Sequence, residues 1–305
     1  MKHYYIATAI AVLSLVSCYD EPALLAEPGQ PRYIIEDSTD PLDHAIYEIY
    51  RETGVHILYE YQLNDYLWDL GSLRNSSNRL TAQGDRAVLL DGIAYLDKIL
   101  FGIYPDSFKR SFFPIKIFLA DSIDLAGTSS KEDLISASGR EYIAIGRLRA
   151  GAIPSTAAEL REATGTINAY LWANIIIKNR LLLLPETFAE LSNAFYGQNY
   201  RYVKSQQQGV AIANIPYPTR EQLMDEGFWN IDPNNTLNLP IPTSYAMMPT
   251  YEGDIYQFIE TIITHDEAEL LAIMEGHLKI KTKYDILLQA IKEQCGIDLQ
   301  AIGNK

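Results

Sequence analysis

The strand-like segments of this chain are confined to its first half, and this division limits the folds available to it. The apolar patterns typical of strands lie at residues 55–61, 115–119 and 141–148. Helical patterns lie at residues 42–53, 83–101, 157–184, 186–195, 253–269 and 284–295. Strands first and helices last predict an α+β fold, with a small sheet in a mixed N-terminal half and a mostly helical C-terminal half.

Residues 196–250 interrupt the helical half. They are rich in Tyr, Asn, Gln and Pro and show no sustained periodicity, so we predict an extended irregular region there. No segment of about 20–50 residues recurs along the chain, which argues against solenoids and propellers. We therefore expect one core rather than an array of repeats.

The N-terminus carries the pattern of a lipoprotein signal. Lys2 and His3 precede an apolar stretch at 4–16 that is too short to span a bilayer, and the stretch ends at Ser17-Cys18. This resembles the bacterial lipobox, in which the cysteine is acylated. We expect a signal peptide at 1–17, lipidation at Cys18 and a Pro-containing tether at 18–31.

The remainder, 32–305, is predicted to form one domain with a sheet-containing half at 32–150 and a helical half at 151–305. Asp20 and Glu21 resemble the surface-export signal of Bacteroidetes lipoproteins, so we expect the outer membrane, at the cell surface. If Cys18 carries lipid, Cys295 is the remaining cysteine and the domain has no internal disulfide.

Charge and motif content exclude several classes of protein. The formal net charge of −14 repels phosphate backbones, so nucleic acid is a poor candidate partner. The sequence contains no G-x-S-x-G, phosphate-binding loop, G-x-G-x-x-G or H-E-x-x-H motif. The common signatures of serine hydrolases, NTPases, dehydrogenases and zinc peptidases are therefore absent.

Histidines could form two pairs with carboxylates. His44 with Glu48, and His265 with Glu269, are spaced to lie on one helix face and could ligate a metal. Neither pair has a third ligand at a defined spacing, so exposed polar pairs are the favoured interpretation. The sequence favours a structural role for His56, within a strand, and for His277, near a helix boundary.

Other polar and aromatic groups suggest binding. Asp266, Glu267 and Glu269 could bind calcium, but three acids on one helical turn are more typical of a solvated face. The aromatic residues that could line a carbohydrate or peptide groove are Trp68, Trp172, Trp229 and the tyrosines between 196 and 217.

Short segments along most of the chain resemble one family. The segments are residues 42–47 with 54–61, 108–119, 139–143, 244–246 with 253–257, 279–284 and 296–299. In particular, Phe108-Lys109-Arg110-Ser111-Phe112-Phe113-Pro114-Ile115-Lys116-Ile117-Phe118-Leu119 resembles the F-x-x-x-x-x-P-K-x-I-x-L strand of the zinc-binding metallopeptidase lipoproteins of Bacteroidetes. The resemblance implies a zincin-like fold whose central helix carries H-E-x-x-H and binds zinc, with a later acidic residue as third ligand.

Aligned on residues 184–192, the resemblance implies that this chain has lost the catalytic groups. Trp172 and Ile176 fall on the two histidine positions, Ala173 on the general base and Gln257 on the third ligand. The sequence has no histidine between His56 and His265, so a small shift of register does not restore the motif. We therefore expect no catalytic residue and no bound cofactor, although the family would imply zinc.

Three functions remain open. The first is a catalytically degenerate zincin-like lipoprotein that binds a peptide or glycan as an accessory of an outer-membrane uptake system. The second is an active metallohydrolase with a relocated site at His265 and Glu269, completed by Asp254 or Glu260. The third is a structural partner of a membrane complex.

Overall fold

The computed structural model describes residues 33–67, 78–125, 133–230 and 246–305. Contacts divide the chain into Met1–Ile34 and Ile35–Lys305, and the second unit is the one described below. The predicted signal peptide, Cys18, the tether and Trp68 lie outside the described residues. Among the helices of the described ranges, none has the length and apolar content needed to cross a membrane.

The helices outnumber the strands, as the sequence predicts. The α-helices are α1 (Pro41–Thr53), α2 (Leu63–Leu67), α3 (Arg86–Ile99), α4 (Asp106–Phe112), α5 (Ala157–Ala169), α6 (Glu186–Glu190), α7 (Tyr200–Gln208), α8 (Arg220–Asp225), α9 (Tyr251–Thr264), α10 (Glu267–Ile273), α11 (Leu278–Cys295) and α12 (Gln300–Gly303). Helix α5 continues into a π-helix at Tyr170–Ile177, called the wide helix below, and 3₁₀ turns lie at Phe101–Ile103 and Ile212–Asn214.

The strands form one small sheet in the N-terminal half. They are β1 (His56–Leu58), β2 (Asn78–Ala82), β3 (Lys116–Leu125), β4 (Ser136–Ser138) and β5 (Tyr142–Ile145). The order is β1-β3-β5-β4, with β1 and β5 parallel to β3 and with β4 antiparallel to β5 at the edge. Strand β2 pairs antiparallel with the second half of β3. Parallel strands are buried on both faces, which explains their continuous apolar sequences.

Each face of the sheet packs against a different apolar layer. Ile117 and Ile143 belong to the main core, which they share with the large helices. On strand β3, Phe118 belongs to the other face, where its ring packs edge-on against Tyr61 and Tyr142 at 4.9 and 5.2 Å. Because side chains alternate along a strand, one apolar run supplies both layers.

Several predictions about the helical half are wrong. The helix predicted at 186–195 ends at Glu190, and the one predicted to start at residue 284 begins at Leu278. The region predicted as irregular contains α7 and α8, two short helices that begin at the caps Asn199 and Thr219. Because these helices are rich in polar residues, they show no clear hydrophobic periodicity. Their N-terminal capping residues stabilise them. The helix predicted at 253–269 ends at Thr264, because Asp266 and Glu269 form a capping box that starts α10.

A buried ion pair joins α9 to α11. The Lys283 ammonium lies 2.7 Å from Asp254 Oδ2, and both side chains are fully buried. The ammonium also donates to the carbonyl of Gly227 and to Tyr196 Oη, each at 3.0 Å, and Tyr196 donates to Asp254 at 2.7 Å. Four segments distant in sequence therefore meet at one charged group.

The surroundings of this pair are apolar and aromatic. The rings within 6 Å of the Lys283 ammonium are those of Phe188, Tyr196, Phe228 and Phe258. Burial raises the pKa of Asp254 and lowers the pKa of Lys283, and their mutual contact opposes both shifts. Gly227 has a φ of +83°, and a Cβ there would lie 2.7 Å from Ser192 Oγ, so this close approach to the lysine requires glycine.

We predict that Lys283→Met lowers the free energy of unfolding by about 3–5 kcal/mol, because it leaves a buried carboxylate without its cation. The double variant Asp254→Leu with Lys283→Met should recover part of this loss, with about 1–3 kcal/mol remaining for the unpaired Tyr196 and Gly227 groups. Denaturant titration of the wild-type protein, the single variant and the double variant measures their free energies of unfolding. The control Lys281→Met removes an exposed ion pair with Asp285 and should change stability by about 0.5 kcal/mol or less. A double variant less stable than Lys283→Met would show that the unpaired buried carboxylate is not the cause of the loss.

Candidate functional site

A buried hydrogen-bond chain fixes the rotation of the wide helix. Trp172 Nε1 donates to Tyr104 Oη at 2.8 Å, and this hydroxyl donates to Asn168 Oδ1 at 2.7 Å. Asn168 Nδ2 in turn donates to the carbonyls of Ile99 and Thr164. Each buried polar side chain of this hydrogen-bond network has a partner, so this side of the helix is held against α3 and the core.

The opposite side of the helix lines a cleft. Every fourth residue contributes a side chain, and the four are Thr166, Tyr170, Asn174 and Lys178. The helix widens at this point, as the bond from Lys178 N to Ala173 O at 3.0 Å spans five residues. A wider turn holds more residues than the 3.6 of an α-helix, which keeps residues four apart near one line.

The cleft has a volume of about 770 Å³ and three walls. The wide helix with the end of α5 forms the first wall. The edge of the sheet forms the second, through Leu134, Ile135, Ser136 and Arg147. The third is the start of α9 and the segment before it, through Pro249, Thr250, Glu252, Gly253, Tyr256 and Glu260. A cleft of this size is suited to a small ligand or a short stretch of polymer.

Several contacts organise the polar groups of this cleft. Asn174 Nδ2 donates to Ser138 Oγ at 2.8 Å, which ties the wide helix to edge strand β4. The rings of Tyr170 and Tyr256 meet edge to face, with centroids 5.0 Å apart. Glu260 accepts from Thr166 at 3.0 Å and from Tyr256 at 3.1 Å. Burial raises the pKa of Glu260, and these two hydroxyls oppose the shift.

A second cavity, of about 470 Å³, adjoins the same part of α9. Tyr256 and Glu260 line both cavities. The other lining residues of the second cavity are Pro218, Arg220, Leu223, Trp229, Asn230, Gln257, Thr261 and His265. One helix thus presents the same carboxylate to two separate spaces.

The residues assigned from the family alignment are placed differently from the cleft-lining ones. Trp172, Ala173 and Ile176 are buried in the core. Gln257 is also buried, accepts from the backbone N–H of Asn230 at 3.1 Å and borders the second cavity. The pair spaced four apart that faces the cleft is Tyr170 with Asn174, two residues earlier than the alignment suggests. The sequence feature that could have identified the cleft-facing side is a polar residue at every fourth position from Thr166 to Lys178.

The relocated metal site is not assembled. His265 lies beyond the end of α9 in extended conformation, with Nδ1 bound to the carbonyl of Thr261 at 3.0 Å. Glu269 belongs to the next helix and caps it, so the two do not share a helix face. Of the carboxylates considered to complete this site, Asp254 is paired with Lys283 and only Glu260 shares a cavity with His265.

The other candidate residues have structural partners. His44 bonds Asp37 and His277 bonds Asp225, both at 2.7 Å, and His56 belongs to β1 with a pKa lowered by burial. Asp266 and Glu269 form the capping box at the start of α10. Of the proposed aromatic platform, Trp229 borders the second cavity, while Tyr196 packs against Lys283.

The zinc implied by the family resemblance does not fit these residues. Its ligands would be nitrogen, sulfur or carboxylate groups. Tyr170 and Asn174 occupy the cleft-facing turn, and nowhere in the described ranges do three or more His, Cys, Asp or Glu residues group as metal ligands would.

Comparisons with known proteins support the fold. No family model matches the chain, and no match was found among curated proteins. Among solved structures, it is similar to the crystal structure of a "putative zinc-binding metallo-peptidase" from Bacteroides caccae, with 14% sequence identity and a TM-score of 0.54. The match covers 89% of this chain and 93% of the other. The predicted α+β, metallopeptidase-like fold is confirmed.

We predict that Tyr104→Phe costs about 2 kcal/mol of stability, because it leaves Trp172 Nε1 and Asn168 Oδ1 buried without this partner. Tyr95→Phe is the matched control, since Tyr95 is equally buried but its hydroxyl has no hydrogen-bond partner among the described residues. That variant should be neutral or slightly stabilising. Denaturant titration compares the two, and equal effects would show that the hydrogen-bond chain does not hold the helix.

Proposed function

We propose that this protein is a binding protein with a metallopeptidase-like fold, which holds a peptide or glycan in the cleft beside β4 without cleaving it. The cleft itself supports this proposal. It borders the helix that would carry the catalytic groups in the family, and the side chains facing it are Thr166, Tyr170, Asn174 and Lys178. Hydroxyls, an amide, an ammonium and aromatic rings suit binding of a polar ligand.

The edge strand favours a peptide over a glycan. Strand β4 bonds β5 through Ile135 O with Gly146 N at 2.8 Å and Gly139 N with Tyr142 O at 3.0 Å. Backbone groups alternate in direction along a strand, so those of Ser136 and Ser138 point away from β5. Ser136 borders the cleft, and an extended peptide can bind along such an edge.

The N-terminal sequence supports a location for this activity. A lipobox-like Ser17-Cys18 and the acidic Asp20 and Glu21 would anchor the protein at the outer membrane, facing outward. We therefore propose that it serves as a lipoprotein accessory of an outer-membrane nutrient-uptake system, with the transporter as its partner. Recovery of transporter subunits after crosslinking on intact cells would support this role, and their absence would argue against it.

We predict that the purified protein retains members of a degenerate pool of end-blocked short peptides and returns them uncleaved. Mass spectrometry identifies the retained peptides, and titration calorimetry measures their affinity. Asn174→Ala should weaken binding by about tenfold, because it removes an amide from the cleft and its bond to Ser138.

Asn193→Ala is the control for that variant, since Asn193 is an exposed asparagine outside the cleft lining. Retention of oligosaccharides instead of peptides would reassign the ligand to a glycan. Cleaved peptides that accumulate with zinc would replace the proposal with the active metallohydrolase. Binding that is unaffected by Asn174→Ala would place the ligand elsewhere.

A further inference from the structure

Glu260 is a largely buried carboxylate with no cationic partner among the described residues. Its hydrogen-bond donors are the hydroxyls of Thr166 and Tyr256. The charge of Glu162, which has the same sign, also raises the pKa of Glu260. Hydroxyl donors stabilise a carboxylate less than an ion pair does, so part of its charge is uncompensated.

Two other buried or largely buried acids, Asp254 and Glu226, are paired with lysines. Asp254 lies 2.7 Å from the ammonium of Lys283. Glu226, also largely buried, contacts both Lys204 and Lys279. This contrast matters because burying a charge is costly unless a counter-charge accompanies it. Of these three carboxylates, Glu260 alone lacks a cationic partner among the described residues and alone borders the cavities.

Charged groups around the two cavities do not fill this role. Arg147 donates to the carbonyl of Asp133 and lies 3.7 Å from its carboxylate. Lys178, at the end of the wide helix, and Arg220 on α8 line the cavities but form no ion pair with Glu260 in the described structure. His265 is bonded through Nδ1 to Thr261 and Thr264. The remaining titratable groups facing these spaces are Glu252, Tyr170 and Tyr256.

We propose that the ligand supplies the missing cation, so that Glu260 selects peptides carrying a lysine side chain at this position of the cleft. This inference rests on the proposed peptide binding and names its specificity. The Tyr170 and Tyr256 rings, 5.0 Å apart, border the same space and would contact the alkyl chain or the ammonium. The net charge of −14 also favours the approach of a cationic ligand.

The selection has a defined pH dependence. Burial raises the pKa of Glu260 above its usual value, so the carboxyl is protonated over a range in which exposed glutamates are ionised. A lysine ammonium stays charged throughout this range. Binding of a lysine peptide should therefore weaken as the pH falls through the pKa of Glu260, whereas binding of an uncharged peptide should not follow this titration.

The test uses two degenerate pools of end-blocked peptides that differ at one position, which is lysine in one and norleucine in the other. Norleucine keeps the alkyl chain without the ammonium. We expect the full protein to bind the lysine pool about tenfold more tightly, as one partly desolvated ion pair would give. Glu260→Gln should bring this ratio close to unity. Glu275→Gln, an exposed residue away from both cavities, makes the same charge change and should preserve the ratio.

The outcomes separate the inference from the proposed function. If both pools bind equally to the wild-type protein, or the preference survives in Glu260→Gln, lysine selection at Glu260 is wrong while peptide binding stands. If neither pool binds, peptide binding fails and the lysine selection fails with it. Circular dichroism and thermal unfolding of Glu260→Gln confirm that a lost preference reflects the carboxylate and not loss of the fold.

Discussion

The buried pair of Asp254 and Lys283 holds the helical half together. It joins α9 to α11, and through Tyr196 and the carbonyl of Gly227 it also fixes two turns that precede α9 in the sequence. A buried charge tolerates few alternative arrangements, because moving either partner exposes the other to an apolar cage. The same helix α9 carries Tyr256 and Glu260, so the pair sets the position of the wall that the two cavities share.

The wide helix forms another wall of the cleft, and a second set of buried contacts fixes its position. Its Trp172 side is bonded through Tyr104 and Asn168 into the core, and this leaves Tyr170 and Asn174 to face the cleft. A fold similar to that of a Bacteroides caccae protein is thereby combined with cleft residues unlike those of a zinc site. Packing and site chemistry are separable because core residues and cleft residues lie on different sides of one helix.

The apolar patterns predict much of the fold and little of the site. Continuous apolar runs identify β3 and β5, and Gly296 marks the end of α11. Strands β2 and β4 escape prediction because they are short and polar, so neighbouring strands stabilise them more than their own pattern does. The starts of α8 and α10 do not follow from the apolar pattern, but the capping residues Thr219 and Asp266 mark them. The sequence alone shows that the zinc motif is absent. The environment of Glu260 could not be predicted from it, because the contact with Thr166 and the two cavities form only when the chain folds.

We propose that this metallopeptidase-like fold serves binding and holds no zinc. Elemental analysis of the purified protein, after incubation with zinc and extensive dialysis, tests it most directly. We expect zinc far below one ion per chain, with no change in thermal unfolding on adding a chelator. Stoichiometric zinc that survives dialysis and stabilises the protein would contradict this proposal and would show that other ligands assemble a metal site.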